Sequence, residues 1–392
     1  MGKEQYDVII VGGGIMGCCS AYYLLSMQDN LNIAIIERDT TYERASTTLS
    51  NGNIRHQFAL KENIQISQYT FDVLSNFGQT MSVEGNEPNV GFVPTGNLFI
   101  VDAKGRNAAE KGLEEQKRQG CDVGWLPAEK LSEQYGLFEL DEYEGGTFCA
   151  GDGKLDPYSM LMAYKAKVSR MGGKFIKDEA VSFVSHSNCA EGVTLASGTI
   201  LKSDKIINCA GAWGPDLAKT VGIEMPVLPV RRQVFVFKTA LEDAHKLPGV
   251  FLPSGLYFQP ESHDSIILGR SMDTDPVGYN FKWEESRFME ELWPELAEFV
   301  PAFETIKMVR GWAGLYAVST MDKNPFIGQW PEIKGLYLVN GFSGHGLQQG
   351  PAVGRYVAEM VLAQPYSLDL SIFRPERILD GKPISEGDWA IV

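Results

Sequence analysis

A glycine turn set between two strands and a helix constrains this chain more than any other feature. Val8-Ile9-Ile10-Val11 is a continuous aliphatic run, the pattern of a parallel strand buried on both faces. Gly12-Gly13-Gly14-Ile15-Met16-Gly17 follows at once and fits G-x-G-x-x-G. Residues 15–27 then read as a helix, with Met16, Cys19, Ala21, Tyr23 and Leu24 available to an apolar face, and residues 32–36 as a second strand ending at Glu37. In such a βαβ unit Gly12 permits the tight turn, Gly14 lets a pyrophosphate approach the backbone, and Gly17 lets the helix pack on the strand. The helix start, with Ile15 and Met16, offers amide donors and a positive dipole. Glu37 lies 20 residues beyond Gly17, where a carboxylate accepts from ribose hydroxyls, and Arg38 follows it. The unit predicts dinucleotide binding. No second G-x-G-x-x-G occurs, which argues against a reductase holding two nucleotides.

Composition narrows the classes. A formal charge of −15 repels phosphate backbones and anionic headgroups, so neither nucleic-acid binding nor membrane attachment is expected. The apolar stretch from Tyr6 to Met27 is broken by Gly12, Gly13, Gly14 and Gly17 and has a weak basic flank, so it predicts neither a signal segment nor a membrane span. A cytoplasmic protein is the expectation. The six cysteines show no CxxC and the five histidines no metal spacing, so reduced thiols and no protein-bound metal are expected.

Further along, residues 61–77 read as a helix, and the stretch to about 143 as irregular. Asp156-Pro157 starts another helix that ends at Gly172-Gly173. Short strands follow to Asn208. The alternations Gln233-Val234-Phe235-Val236-Phe237 and Gly255-Leu256-Tyr257-Phe258-Gln259 predict antiparallel strands, residues 284–299 a helix, and residues 335–362 a final strand, glycine turn and helix. The α/β pattern returns after each β-rich insertion, so two interleaved domains are expected.

Three segments then carry a family likeness: Ser46-Thr47-Thr48 with Ile54-Arg55-His56-Gln57-Phe58, Ile206-Ile207-Asn208-Cys209-Ala210-Gly211-Ala212-Trp213, and Gly341-Phe342-Ser343-Gly344-His345-Gly346. In this order they resemble the FAD-dependent D-amino-acid oxidase superfamily, within it the sarcosine oxidase and sarcosine dehydrogenase group, over about residues 6–373. The resemblance implies an α/β (α+β overall) fold in which a Rossmann-like FAD-binding domain (1–80, 150–225 and 310–370) interleaves with a β-rich substrate domain (81–149 and 226–309), followed by a C-terminal tail (371–392). It implies one FAD, and oxidation of a C–N bond by hydride transfer to flavin N5. It assigns Ser46, Thr47, Thr48, Ser50 and Asn51 to the loop around the pyrophosphate and flavin, Val181 to the adenine edge, and Ala210, Gly211 and Trp213 to a second approach to the dinucleotide. Gly314, Gly344, His345, Gly346, Leu347 and Gln348 fall at flavin-contact positions. A helix start at Gly344–Gly346 also has its own physical reading, facing charge that develops on the reduced ring.

Arg55 matches the arginine that clamps substrate carboxylate in those relatives, a task suited to a guanidinium fork. Gln348 and Tyr257 are expected to assist it. His56 either lines the site or packs. Three departures matter. Gly314-Leu315-Tyr316 stands where monomeric sarcosine oxidases tether flavin through cysteine, and no cysteine follows Cys209, so non-covalent FAD is expected. Gln348 replaces a lysine beside the carboxylate. Ile267 falls where those oxidases carry an oxygen-activating lysine, which favours a dehydrogenase over an oxidase. The expected substrate is a small carboxylate-bearing amine, an amino acid or its N-methyl derivative, with oxygen or an electron-transfer partner as acceptor. A 2-hydroxy-acid dehydrogenase, and a non-catalytic FAD-binding assembly factor or subunit, are the alternatives.

Overall fold

The computed structural model describes residues 5–384; residues 385–392 of the expected tail lie outside them. The chain opens with β1 (Val8–Val11), α1 (Ile15–Met27) and β2 (Ile33–Glu37). All four residues of β1 are buried, because the strand pairs in parallel with β2 on one side and with Ile206–Asn208 on the other while helices cover the sheet. The full sheet has six strands, in the order Phe326–Gln329, Leu336–Asn340, Ile206–Asn208, β1, β2, Lys174–Lys177. Its outermost pair, Phe326–Gln329 with Leu336–Asn340, is antiparallel. Strands distant in sequence thus end side by side around the glycine turn.

Two further helices matter for the site, α2 (Lys61–Ser75) and α3 (Gly346–Val361). α1 and α3 pack closely because α3 carries glycine on the contact face. A Cβ on Gly354 would stand 2.6 Å from Cys19. The helix Pro157–Arg170 starts where expected, with the Asp156 carboxylate accepting from the amides of Tyr158 at 3.1 Å and Ser159 at 3.3 Å.

The second large sheet has eight strands, in the order Ile306–Ser319, Val227–Thr239, Ser265–Arg270, Leu256–Pro260, Gly249–Phe251, Asn97–Asp102, Tyr143–Cys149, Gly124–Pro127. The stretch expected to be irregular supplies two of these strands and the helices Arg106–Arg118 and Ala128–Gln134. Asn97–Asp102 is buried almost throughout and so shows no alternation. Arg106–Arg118 buries only Ala109, Gly112, Leu113 and Gln116, too thin an apolar stripe to stand out. The helix expected over 284–299 is split, Arg287–Leu292 being a π-helical turn ahead of Trp293–Phe299. Pro294 has no N–H to return to the preceding turn. Val227–Thr239 pairs along its whole length with Ile306–Ser319, so the domain boundary drawn at 310 falls inside a strand of the larger sheet.

Candidate active site

An elongated cavity of about 440 Å³ opens at the carboxyl ends of β1 and β2. Gly12, Gly14, Ile15 and Met16 line its middle. Gly12 adopts φ +101°, and a Cβ there would lie 2.4 Å from the Cys209 carbonyl oxygen. Gly17 faces the turn and not the cavity; its Cβ would fall 1.9 Å from the Gly12 carbonyl oxygen. A Cβ on Gly14 would meet only Thr47 Oγ1, at 3.4 Å, so this glycine keeps space open on the cavity side. Thr47 Oγ1 accepts the Ile15 N–H at 3.2 Å and ties the 45–50 loop to the start of α1.

At one end the cavity is bordered by Glu37, Arg38, Val181 and Trp213, with Asp178 and Glu179 beside them. Glu37 is held by the amides of Gly13 and Asp39, both at 2.9 Å, yet burial raises its carboxyl above the usual range. At the other end lie Ser46, Ser50, Leu315, Tyr316, Gly344, Gly346 and Leu347. Ala210 and Gly211 also line the cavity. Thr48 turns away and bonds the Tyr42 and Ala45 carbonyls. Asn51 and Gly314 line a small adjoining recess of about 20 Å³ with Tyr257 and Arg232. Arg232 is itself paired with buried Asp275.

Arg55 is not on the cavity wall and is only 6% exposed. Its guanidinium lies over the rings of Phe58, at 4.6 Å, and Phe99, at 5.2 Å. Phe99 stacks on Phe251 at 4.4 Å. Arg55 Nη2 donates to His345 Nε2 at 3.2 Å, between the cavity-lining residues Gly344 and Gly346. An arginine has only donors, so His345 accepts there as a neutral imidazole protonated on Nδ1. Burial and the Arg55 charge lower its pKa to about 3.

Gln348 does not present its amide as expected. Its Oε1 accepts the Arg55 N–H at 2.9 Å, while Nε2 donates to Ser67 Oγ at 2.9 Å and reaches the Arg55 carbonyl at 3.4 Å. Its amide is spent on the Arg55 backbone and on α2. The Tyr257 hydroxyl faces Gly269 and Asn51, and burial raises its pKa.

Some residues at the site carried no signal in the sequence. The Tyr42 hydroxyl is buried at the cavity wall without a hydrogen-bond partner among the described residues. An orphaned buried donor at the wall fits a polar ligand. His56, Cys149 and Asp152 place potential ligand atoms within 4.8 Å of one another. The Asp152 carboxylate, however, is already taken by N–H donors. No spacing rule links His56 to Asp152, 96 residues on. Cys209 lines the cavity, but burial raises its thiol to about 12, so it stays protonated.

Amides at a helix start, a carboxylate at the end of the second strand and a cavity at the strand ends, with a buried arginine bonded to the residue between two of its lining glycines, define a dinucleotide-binding oxidoreductase. A model of the family described as FAD dependent oxidoreductase matches residues 7–360, and the chain belongs to that family. It is 33% identical over 421 residues to FAD-dependent oxidoreductase domain-containing protein 1 of Bos taurus, covering 98% of this chain and 87% of the relative. It is 25% identical over 378 residues to glycine oxidase of Pseudomonas putida, covering 94% and 98%. The solved structure of L-proline dehydrogenase from P. horikoshii superposes with TM-score 0.87 at 25% identity, covering 97% and 100%. The residues along the cavity fit FAD: Gly14 leaves the cavity side of the turn open, and the Tyr42 hydroxyl keeps a hydrogen-bonding group unused among the described residues. No helix among the described residues is long and apolar enough to cross a membrane.

Proposed function

We propose that this FAD-dependent oxidoreductase oxidises the C–N bond of a small amino acid or N-methylated amino acid, with FAD held non-covalently. The supporting observation is Arg55: a buried guanidinium inside an aromatic wall, its backbone fixed by Gln348, one hydrogen bond from His345 between two cavity-lining glycines. Glycine oxidase and L-proline dehydrogenase, by their names, act on amino acids.

In this reading the Arg55 fork holds the substrate carboxylate and fixes the orientation of the neighbouring C–H bond. FAD, when bound, supplies the hydride acceptor. Phe58 and Phe99, which flank the guanidinium, exclude water around the carboxylate anchor. The amine enters as the free base, its lone pair completes the C=N bond as hydride departs, and water hydrolyses the released imine. No side chain has to remove a proton, which suits a site whose histidine is so weak a base: at about 3, His345 cannot serve the 2-hydroxy-acid alternative well. Non-covalent attachment is supported by glycine at position 314 and by the protonated Cys209 thiol. Ile267, buried among Val234 and Val236, leaves that strand position without a cation and favours an acceptor other than oxygen.

The test is anaerobic addition of N-methyl, D- and L-amino acids to the FAD-loaded protein, followed at the flavin absorption band. Bleaching by a carboxylate amine in the parent, lost in Arg55→Met while FAD stays bound, supports the reading. Bleaching by 2-hydroxy acids alone, or by no compound of the panel, overturns it.

A further inference from the structure

The segment that carries Arg55 is gripped from two sides. Gln348 of α3 takes the Arg55 N–H and approaches its carbonyl. The opposite grip comes from Asp152, in the turn between the strand Tyr143–Cys149 and Gly153–Lys154. Gly153–Lys154 pairs antiparallel with Asn53–Ile54, and this short ladder brings Asp152 alongside the segment.

Asp152 is fully buried, and the His56 ring stands against its carboxylate. Its Oδ1 accepts the His56 backbone N–H at 2.8 Å and the His56 Nδ1–H at 2.8 Å. Its Oδ2 faces the side-chain amides of Gln57 at 3.3 Å and Asn97 at 3.5 Å. Asn97 extends the hold, donating to the Asn53 side chain at 3.1 Å and to the Ile54 carbonyl at 3.3 Å. Both neighbours of Arg55 are therefore tied to one knot, as are Asn53 and Gln57.

A buried carboxylate facing a histidine is a costly way to hold a loop, because desolvation must be offset by hydrogen bonds. Three N–H donors within 3.3 Å supply them, with the Asn97 amide 3.5 Å away beside them. An asparagine cannot, since its amide would meet the donors of Gln57 and Asn97. The ring of His56 stacks on Phe71 at 3.9 Å, so the dyad is itself fixed in orientation.

We infer that Asp152, acting through His56, is a positioning residue that sets where the Arg55 guanidinium stands; this rests on the proposed role of Arg55 as carboxylate anchor. Asp152 has no acceptor left for substrate. Displacing an anchor by a fraction of its reach weakens ligand binding without touching the dinucleotide cavity.

The experiment titrates acetate, the simplest carboxylate, into the FAD-loaded full chain and reads the shift of the flavin's visible spectrum. Asp152→Asn should weaken acetate about tenfold or more, with FAD still bound. His56→Leu should act in the same direction, and His56→Asn, which restores a donor close to the place of Nδ1, should recover most of the loss. Recovery of that kind is not expected from general destabilisation. Acetate affinity within about twofold of the parent in both Asp152→Asn and His56→Leu, in a protein where Arg55→Met abolishes binding, overturns the positioning role and leaves Arg55 in place. No acetate-dependent shift in the parent, or one indifferent to Arg55→Met, removes the Arg55 reading and the inference with it. If Asp152→Asn fails to fold, the His56 pair decides on the same criterion.

Discussion

Arg55 Nη2 and His345 Nε2 meet at 3.2 Å, joining the buried guanidinium to the residue at the start of α3. The contact forces the imidazole to stay neutral, since a second proton would place two cations together in a dry site. Its cost appears only in acid. Burial, with the Arg55 charge, lowers His345 to about 3, whereas an unfolded chain titrates near 6.5. Between those values the unfolded chain binds a proton that the native chain refuses. Stability therefore falls as pH falls, by at most about 1.4 kcal/mol per pH unit, and is insensitive to this group above about 6.5.

His345→Gln removes that dependence. Urea unfolding at about pH 7.5 and about pH 5 should show the parent losing more stability than the variant, by up to about 2 kcal/mol. A gap between the two proteins that stays constant with pH would mean that His345 titrates normally in the fold. In the same range kcat/KM should show no ionisation that disappears with His345→Gln.

Gln348 offers a second measurement. Replacing it by Leu leaves the buried N–H of Arg55 without its acceptor, at a cost of about 1–3 kcal/mol. The same change frees the Arg55 backbone, so acetate affinity should drop while FAD stays bound. A variant that loses stability but binds acetate as the parent does would limit Gln348 to a packing role.

The glycines of the turn separate folding from cofactor binding. A Cβ on Gly17 would fall 1.9 Å from the Gly12 carbonyl oxygen, a backbone atom with nowhere to go. Gly17→Ala should therefore yield little folded protein. A Cβ on Gly14 meets only Thr47 Oγ1 at 3.4 Å, and the position lines the cavity. Gly14→Ala should fold with a melting temperature close to that of the parent apoprotein and bind FAD at least tenfold more weakly, by roughly 1.4 kcal/mol or more. Equal FAD affinity in Gly14→Ala would place the pyrophosphate elsewhere.

Much of this architecture is legible because buried parallel strands and glycine turns leave strong local marks. β1, α1 and β2 stand close to where the hydrophobic run and G-x-G-x-x-G put them. What sequence hides is contact made through topology. Asp152 reaches His56 only because two short strands pair across a hundred residues of intervening chain. Tyr42 reads as an ordinary loop tyrosine until its hydroxyl is found buried at the cavity wall. Gln348 was legible in position but not in direction, since the chain alone does not say that its amide turns toward the Arg55 backbone. The strand Asn97–Asp102 and helix Arg106–Arg118 lacked periodicity for opposite reasons, one nearly all buried and the other nearly all polar.

The far end of the cavity carries a stack that ties the two sheets together. The Arg38 guanidinium lies 3.8 Å from the centre of a Trp213 ring, and Trp213 stacks on Tyr279 at 5.4 Å and 9°. Arg38 and Trp213 line the cavity, whereas Tyr279 belongs to the connection that leaves the strand Ser265–Arg270. The Tyr279 hydroxyl donates to the Asp216 carboxylate at 2.5 Å, with the Ala212 carbonyl 3.2 Å away, so the connection is pinned beside the cavity-lining residues Arg38 and Trp213. Removing the ring exposes Trp213 and loosens Arg38, interactions worth about 0.5–1.5 kcal/mol. Tyr279→Ala should therefore release FAD about 2- to 10-fold faster, followed by the rise in free-flavin fluorescence after dilution. Tyr279→Phe keeps the stack and loses only the hydroxyl, so its release rate should lie between the two. Release from Tyr279→Ala at the parent rate would show that the stack braces the connection without restraining the cofactor.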